Sequence, residues 1–189
     1  ANVRDPATGD LILPEYLVVE RGGIRFGIVS VLDPDQKIVT MTAREAEFEV
    51  ADPLATMREL LPRLRERCDT VVLLSHLTER GTETLLGEVA GIDIALVGHA
   101  FKTYQTERIS NDVILLMASH EGRYIGRADV RFDAANGEAM AVEVAITSLD
   151  EDVADDPNAA EQIALFKKEV EDRRLAARAE WPRDRGDAK

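Results

Sequence analysis

Two short apolar runs, each followed by a histidine, constrain this chain more than any other feature. They are residues 70–74 (TVVLL) and 92–97 (IDIALV). Each is too short for a typical helix and is rich in Val, Ile and Leu, which suits strands buried on both faces. Between them, residues 78–89 place Leu85, Leu86 and Val89 at helical spacing and stop at Gly91. The pattern predicts a strand–helix–strand unit with parallel strands. Ser75-His76 and Gly98-His99 then end adjacent strands, at the carboxyl edge where open α/β sheets bind ligands. A single histidine at a strand end is ordinarily a hydrogen-bonded surface residue. Two at equivalent ends converge on one edge, which is the arrangement a metal ion needs.

Composition sets the outer limits. With 189 residues, 45% of them hydrophobic, the chain can build one domain with a real core. Its net charge of −13 gives no basic face for a nucleic-acid backbone. An anionic substrate would need a cation to invert the local field. No apolar run reaches membrane-spanning length, and no segment reads as a signal peptide. The strand-like opening at Ala1 is what is expected of a chain whose earlier portion has been removed or is a separate piece. The lone Cys68 excludes an internal disulfide or a cysteine-cluster metal site, and reads as a small buried hydrophobe.

Along the chain, residues 15–20 (EYLVVE) and 24–32 (IRFGIVSVL) read as a hairpin turned by Gly22-Gly23. No Gly-x-Gly-x-x-Gly or Walker pattern supports a nucleotide-cofactor fold. Phe48 and Val50 alternate with Glu47 and Glu49 as in a short edge strand. Asp52-Pro53 announces a helix with Leu54, Met57, Leu60, Leu61 and Leu64 on its apolar stripe. Pro62 predicts a kink or a break, and Arg63, Arg65 and Arg67 read as a solvated helix end favoured by the dipole.

A polar connection, residues 100–112, leaves the same sheet edge as the histidines. Its Tyr104 is a candidate for stacking on a base or sugar, against the plainer reading of a lid over the sheet. A strand at 113–118 leads into Ser119-His120-Glu121-Gly122. Adjacent residues on a turn cannot relay a proton among themselves, and no Gly-x-Ser-x-Gly elbow exists. His120 is left as a candidate at the pocket rim, and no residue can be named as nucleophile or general acid. Residues 122–133 and 138–149 form a hairpin around Asn136-Gly137, with Ala128, Val130 and Phe132 facing inward. Residues 1–149 are expected to form one domain. Residues 150–189 supply an acidic linker, a helix starting at Asp156-Pro157 with an Ile163, Phe166 and Val170 stripe, and a tail, WPRDRGDAK, that reads as disordered.

Four stretches in order carry a resemblance: ANVRDPATGDLILPEYLVVERGGIRFGIVSVLDPD, VVLLSHL, GIDIALVGHA and VILLMASHEGRYIGRADVRFD. Over about residues 1–149 they resemble the later half of the calcineurin-like metallophosphoesterase catalytic domain, in the 5′-nucleotidase / UDP-sugar hydrolase branch. The resemblance implies an α/β fold, namely the later half of a four-layer α/β/β/α sandwich with mixed sheets, plus a C-terminal helix. It also implies divalent metal ions (Zn, Mn, Co or Mg), a nucleotide or other small phosphate ester as substrate, and a periplasmic or extracellular location.

In that family two histidines that match His76 and His99 both ligate one of the two metals. The second histidine of the family's Gly-His-x-His motif, a ligand to the other metal, falls on Phe101, which cannot coordinate. The remaining ligands come from Asp-x-His, Gly-Asp and Gly-Asn-His motifs that this chain lacks. Gly9-Asp10 and Asn2 are look-alikes without the strand context or partners. The expectation is therefore part of a phosphoester hydrolase supplying two histidines to a dinuclear site, of which this chain would serve one metal site only. By itself it would be inactive until a missing N-terminal segment or adjoining domain completes it. The alternative is a degenerate, non-catalytic binding or scaffold module of the same fold, with a plain α/β nucleotide-binding domain as a weaker third.

Overall fold

The computed structural model describes residues 1–35, 48–99, 108–110, 112–119, 121–133 and 139–180. The chain begins with β1 (Val3–Arg4), β2 (Leu17–Arg21), β3 (Ile24–Leu32), β4 (Glu49–Val50) and α1 (Pro53–Arg65). The strand–helix–strand unit follows as β5 (Thr70–His76), α2 (Glu79–Glu88) and β6 (Ile94–Val97). Then come β7 (Arg108–Ser110), β8 (Val113–Leu116), β9 (Tyr124–Phe132), β10 (Ala139–Ser148) and α3 (Pro157–Glu180).

A six-stranded mixed sheet runs in the order β2-β3-β5-β6-β8-β7. Its central strands β3, β5, β6 and β8 are parallel, and β2 and β7 close the two edges antiparallel. The β2–β3 hairpin turns on Gly22 and Gly23 at φ 60° and 83°, a backbone that side chains resist. The strand β7 lies in what the sequence reads as a polar connection; three residues are too few to show an alternation. The β6 strand begins at Ile94 rather than at residue 92. The reason is Asp93, whose Oδ2 accepts the Val71 amide and the Arg65 guanidinium, both at 2.6 Å. The β5 strand extends to include His76.

Alternate residues of the sheet, Val29, Val31, Val71, Leu73, Ala95, Val97, Val113 and Leu115, are buried in one cluster with Met57, Leu60, Leu61 and Leu64 of α1 and Leu85 and Leu86 of α2. At the closest approach, a Cβ on Gly27 would lie 2.6 Å from Cys68 Sγ and 2.9 Å from Leu64 Cδ1. Only glycine lets α1 settle this near β3. Cys68 is buried there, donates to the Leu64 carbonyl, and has its thiol pKa raised by burial, so it behaves as the inert small hydrophobe expected.

Asp52 caps α1 by accepting the Ala55 amide at 2.6 Å. The helix then runs through Pro62 without the break that was one of the two expected outcomes. Pro62 and Arg58, whose carbonyl loses its partner, both lie on the exposed side, where water can satisfy that carbonyl, and three residues later the helix ends. The basic end of α1 is tied down as well as solvated: Arg63 pairs with Glu15 at 2.8 Å and Arg65 with Asp93.

At the start of β5, Asp69 accepts the Arg25 amide and Nε through Oδ2 and the Arg25 Nη2 through Oδ1 at 2.6 Å. These bonds, the guanidinium's first, hold the Asp69 pKa down at about 2. A depressed carboxyl stabilises the fold above its unfolded pKa of about 4 and loses that contribution as pH falls toward 2. The drop in melting temperature between pH 5 and pH 2 is therefore expected to be smaller in Arg25→Gln than in the wild-type chain. An equal drop in both would show that the pair contributes nothing to acid sensitivity.

The β9–β10 hairpin forms its own two-stranded sheet, in register from Ser148↔Tyr124 to Ala139↔Phe132 with one irregularity between Ala139 and Ala141. Phe132 stands edge-on to Phe26 of β3 at 5.5 Å, which places the hairpin over the sheet face opposite the helices. Its Asn136-Gly137 turn, Glu47 of the β4 region and the 181–189 tail lie outside the described residues. By internal contacts the chain divides into Ala1–Leu149 and Asp150–Lys189. In the second unit Asp156 accepts the Ala159 amide at the start of α3, and Ile163, Phe166 and Val170 are exposed. Among the described residues no helix is long and apolar enough to cross a membrane.

Candidate metal centre

Parallel pairing in the register Val72↔Ile94 to Ser75↔Val97 brings the carboxyl ends of β5 and β6 to the same edge. His76 is the last residue of β5, and His99 stands two residues beyond β6. The Gly98 amide donates to the Ser75 carbonyl at 2.8 Å, which carries the pairing past the end of β6. The two imidazoles lie face to face, with ring centroids 5.2 Å apart and planes 10° from parallel. Two imidazoles bound through nitrogen to one zinc at about 2.1 Å have ring centres about 5 Å apart at a tetrahedral angle. The spacing suits shared ligation. The near-parallel planes mean that one ring has to rotate for both nitrogens to aim at one ion.

Among the described residues no group of three or more His, Cys, Asp or Glu side chains gathers into a metal site. Among the described residues the candidate donors paired at this edge are the two imidazoles. Phe101, Tyr104 and His120 lie outside the described residues. Beside His120, Ser119 and Glu121 adopt left-handed backbone at φ 62° each, and Glu121 pairs with Arg123.

The look-alikes have structural roles. Asn2 is wholly buried, and its amide donates to the carbonyls of Leu32 at 2.8 Å and Ala51 at 2.9 Å while accepting the Leu32 amide at 2.9 Å. Asp10 is exposed in a turn whose backbone bonds link Asp5 with Gly9 and Asp10.

The histidine edge opens onto a cavity of about 870 Å³ between the sheet face that carries Leu74 and Leu96 and the hairpin residues Ala128, Val130, Val144 and Ile146. Here the structure corrects the expectation of strands buried on both faces. One face is sealed by helices, but Leu74 and Leu96 are each 40% exposed on the other. Length and hydropathy show that a strand is apolar on both sides; they do not show what covers each side.

One arrangement at this edge has no signature in the sequence. The hydroxyls of Ser75, next to His76, and of Thr82, in α2, meet in the core at 2.7 Å.

The chain matches no family model. It is 22% identical over 161 residues to the trifunctional nucleotide phosphoesterase protein YfkN of Bacillus subtilis, covering 83% of this chain and 11% of that protein. Its fold superposes on the sulfate thiohydrolase SoxB of Thermus thermophilus with a TM-score of 0.75 and 20% identity, over 85% of this chain and 30% of the other. A 5′-nucleotidase precursor, also from Thermus thermophilus, gives a TM-score of 0.70 and 24% identity, over 88% and 36%. The chain thus spans only a minor part of each of these proteins, and the likeness to the solved structures is one of fold.

Proposed function

We propose that this chain, whose α/β fold is that of the calcineurin-like metallophosphoesterases and 5′-nucleotidases, contributes His76 and His99 to a metal-dependent site for phosphoester hydrolysis. The observation that carries the reading is the pair of imidazoles, 5.2 Å apart, at the matched ends of parallel neighbouring strands. Both present imidazole nitrogens at one edge, and together they would hold one divalent ion such as zinc, manganese, cobalt or magnesium. Such an ion supplies Lewis-acid polarisation of a phosphoryl oxygen. It also offsets the negative field that a chain of net charge −13 presents to a phosphate ester.

The substrate class we assign is a nucleotide or a related small phosphate ester, and the location periplasmic or extracellular. The half-exposed face around Leu74 and Leu96 supports a further segment or adjoining domain that packs there and brings the remaining ligands. A second reading, a binding or scaffold module that has lost one metal site, is favoured by Phe101 alone, since its phenyl ring has no donor atom.

Titration of the purified chain with zinc tests the assignment. We expect one equivalent to bind, and His76→Ala or His99→Ala each to weaken it at least about tenfold, because removing either imidazole leaves a single donor at this edge. Affinity unchanged in both variants would overturn it.

A further inference from the structure

The core beneath the histidine edge contains a directional hydrogen-bond chain. Ser75 is 2% exposed and Thr82 fully buried. The Thr82 hydroxyl donates to the Thr78 carbonyl at 3.0 Å, an atom that can only accept. Its hydrogen being committed, the 2.7 Å contact between the two hydroxyls has Ser75 as donor and Thr82 as acceptor. The Leu77 amide in turn donates to Ser75 Oγ at 3.3 Å. Thr78 caps α2 by accepting the Gly81 amide at 3.0 Å. The backbone on both sides of His76 is thereby tied to the first turn of α2. Through its carbonyl the same Ser75 accepts the Gly98 amide, the residue before His99. Gly98 also lies against the His76 ring, since a Cβ placed on it would stand 3.9 Å from His76 Cδ2.

We infer that Ser75 and Thr82 form a hydroxyl clasp that sets the relative position of His76 and His99, acting as positioning residues for the ion those histidines would share. The inference rests on the metal reading above for its purpose, but the clasp itself is visible without metal. Ser75, next to His76 on β5, is bonded by its side chain to Thr82 of α2 and by its carbonyl to the Gly98 amide beside His99. A core hydroxyl pair that merely satisfied itself would stabilise the fold without favouring these segments. A clasp loosens them selectively when its hydroxyls are removed, because a fixed outer shell is what orients metal-binding imidazoles.

The full chain should be compared with Ser75→Ala, the isosteric Thr82→Val, and Thr82→Ser, which keeps the hydroxyl. Without metal, we expect amide exchange at Leu77 and Gly98 to rise at least about tenfold in Ser75→Ala and Thr82→Val relative to the Val71 and Leu73 amides. The nuclear Overhauser contact between the His76 and His99 rings should weaken. With zinc, affinity should fall about 10- to 100-fold in the same two variants, and Thr82→Ser should restore both properties. A uniform rise in exchange across the core with unchanged zinc affinity would overturn the clasp. Zinc affinity indifferent to His76→Ala and His99→Ala would instead sink the metal reading; the selective exchange at Leu77 and Gly98 would still decide the clasp. If Thr82→Val fails to fold, Ser75→Ala combined with Thr82→Val leaves neither hydroxyl facing an empty partner and carries the same readouts.

Discussion

Supplied with zinc, manganese, cobalt or magnesium, this chain by itself is expected to hydrolyse a generic phosphodiester, a nucleotide or a UDP-sugar no faster than the metal alone. A catalytic zinc ordinarily takes three protein ligands, and the described residues offer two imidazoles at the site. Two-metal hydrolysis places its ions about 3.5–4 Å apart to stabilise the entering and leaving oxygens together. In the family that the sequence resembles, the position that would serve the second ion matches Phe101. An ion held by two groups is weakly bound and poorly oriented, and orientation supplies much of the catalysis. The contrast should be large. A segment that packs on the Leu74 and Leu96 face and brings the missing carboxylate, amide and imidazole ligands should raise turnover by about 10⁶-fold or more, the lower range of enzymatic acceleration. Turnover by the chain alone that vanishes in His76→Ala and His99→Ala would show the site to be more complete than two histidines. With the segment present, a further rise in Phe101→His would support the reading of a lost second metal site.

Asn2→Ala is expected to destabilise the Ala1–Leu149 unit by about 3 kcal/mol, more than most single substitutions. The side chain satisfies two carbonyls and one amide inside the fold, and an abandoned buried polar group costs about 1–3 kcal/mol. Chemical denaturation with an unchanged m-value would measure it. Asn2→Asp separates this structural role from ligation. A carboxylate keeps the Leu32 amide bond but sets its other oxygen against the carbonyls of Leu32 and Ala51, so it should also destabilise near neutral pH. A metal-ligand asparagine would tolerate that change and bind zinc more tightly. A stability within about 0.5 kcal/mol of wild type in Asn2→Ala, the range usual for neutral surface changes, would contradict a structural role for this side chain.

The strand–helix–strand core was readable because its signals are local. The run of Val and Leu from Val71 to Leu74, the period of Leu85 and Leu86, and the Gly22-Gly23 turn depend on nothing distant. The parallel pairing of β5 and β6 follows from one such unit, and with it the convergence of His76 and His99 on one edge. Whether Pro62 breaks the helix was not legible, because a proline's cost depends on whether its orphaned carbonyl meets water, which is a matter of burial. Strand β7 was missed for want of length, and the Asp93 bonds that start β6 late join residues from three separate segments.

The sequence by itself determined the alternation of buried strands and helices and the edge at which the histidines gather, since both follow from residue periods within single elements. Only the tertiary structure decided that the rings stand 5.2 Å apart, that Asn2 bonds the backbone of Leu32 and Ala51, that Ser75 and Thr82 meet in the core, and that one sheet face is sealed while Leu74 and Leu96 stay half open. Each of these depends on distances between separate elements, and such distances are set by how whole elements pack.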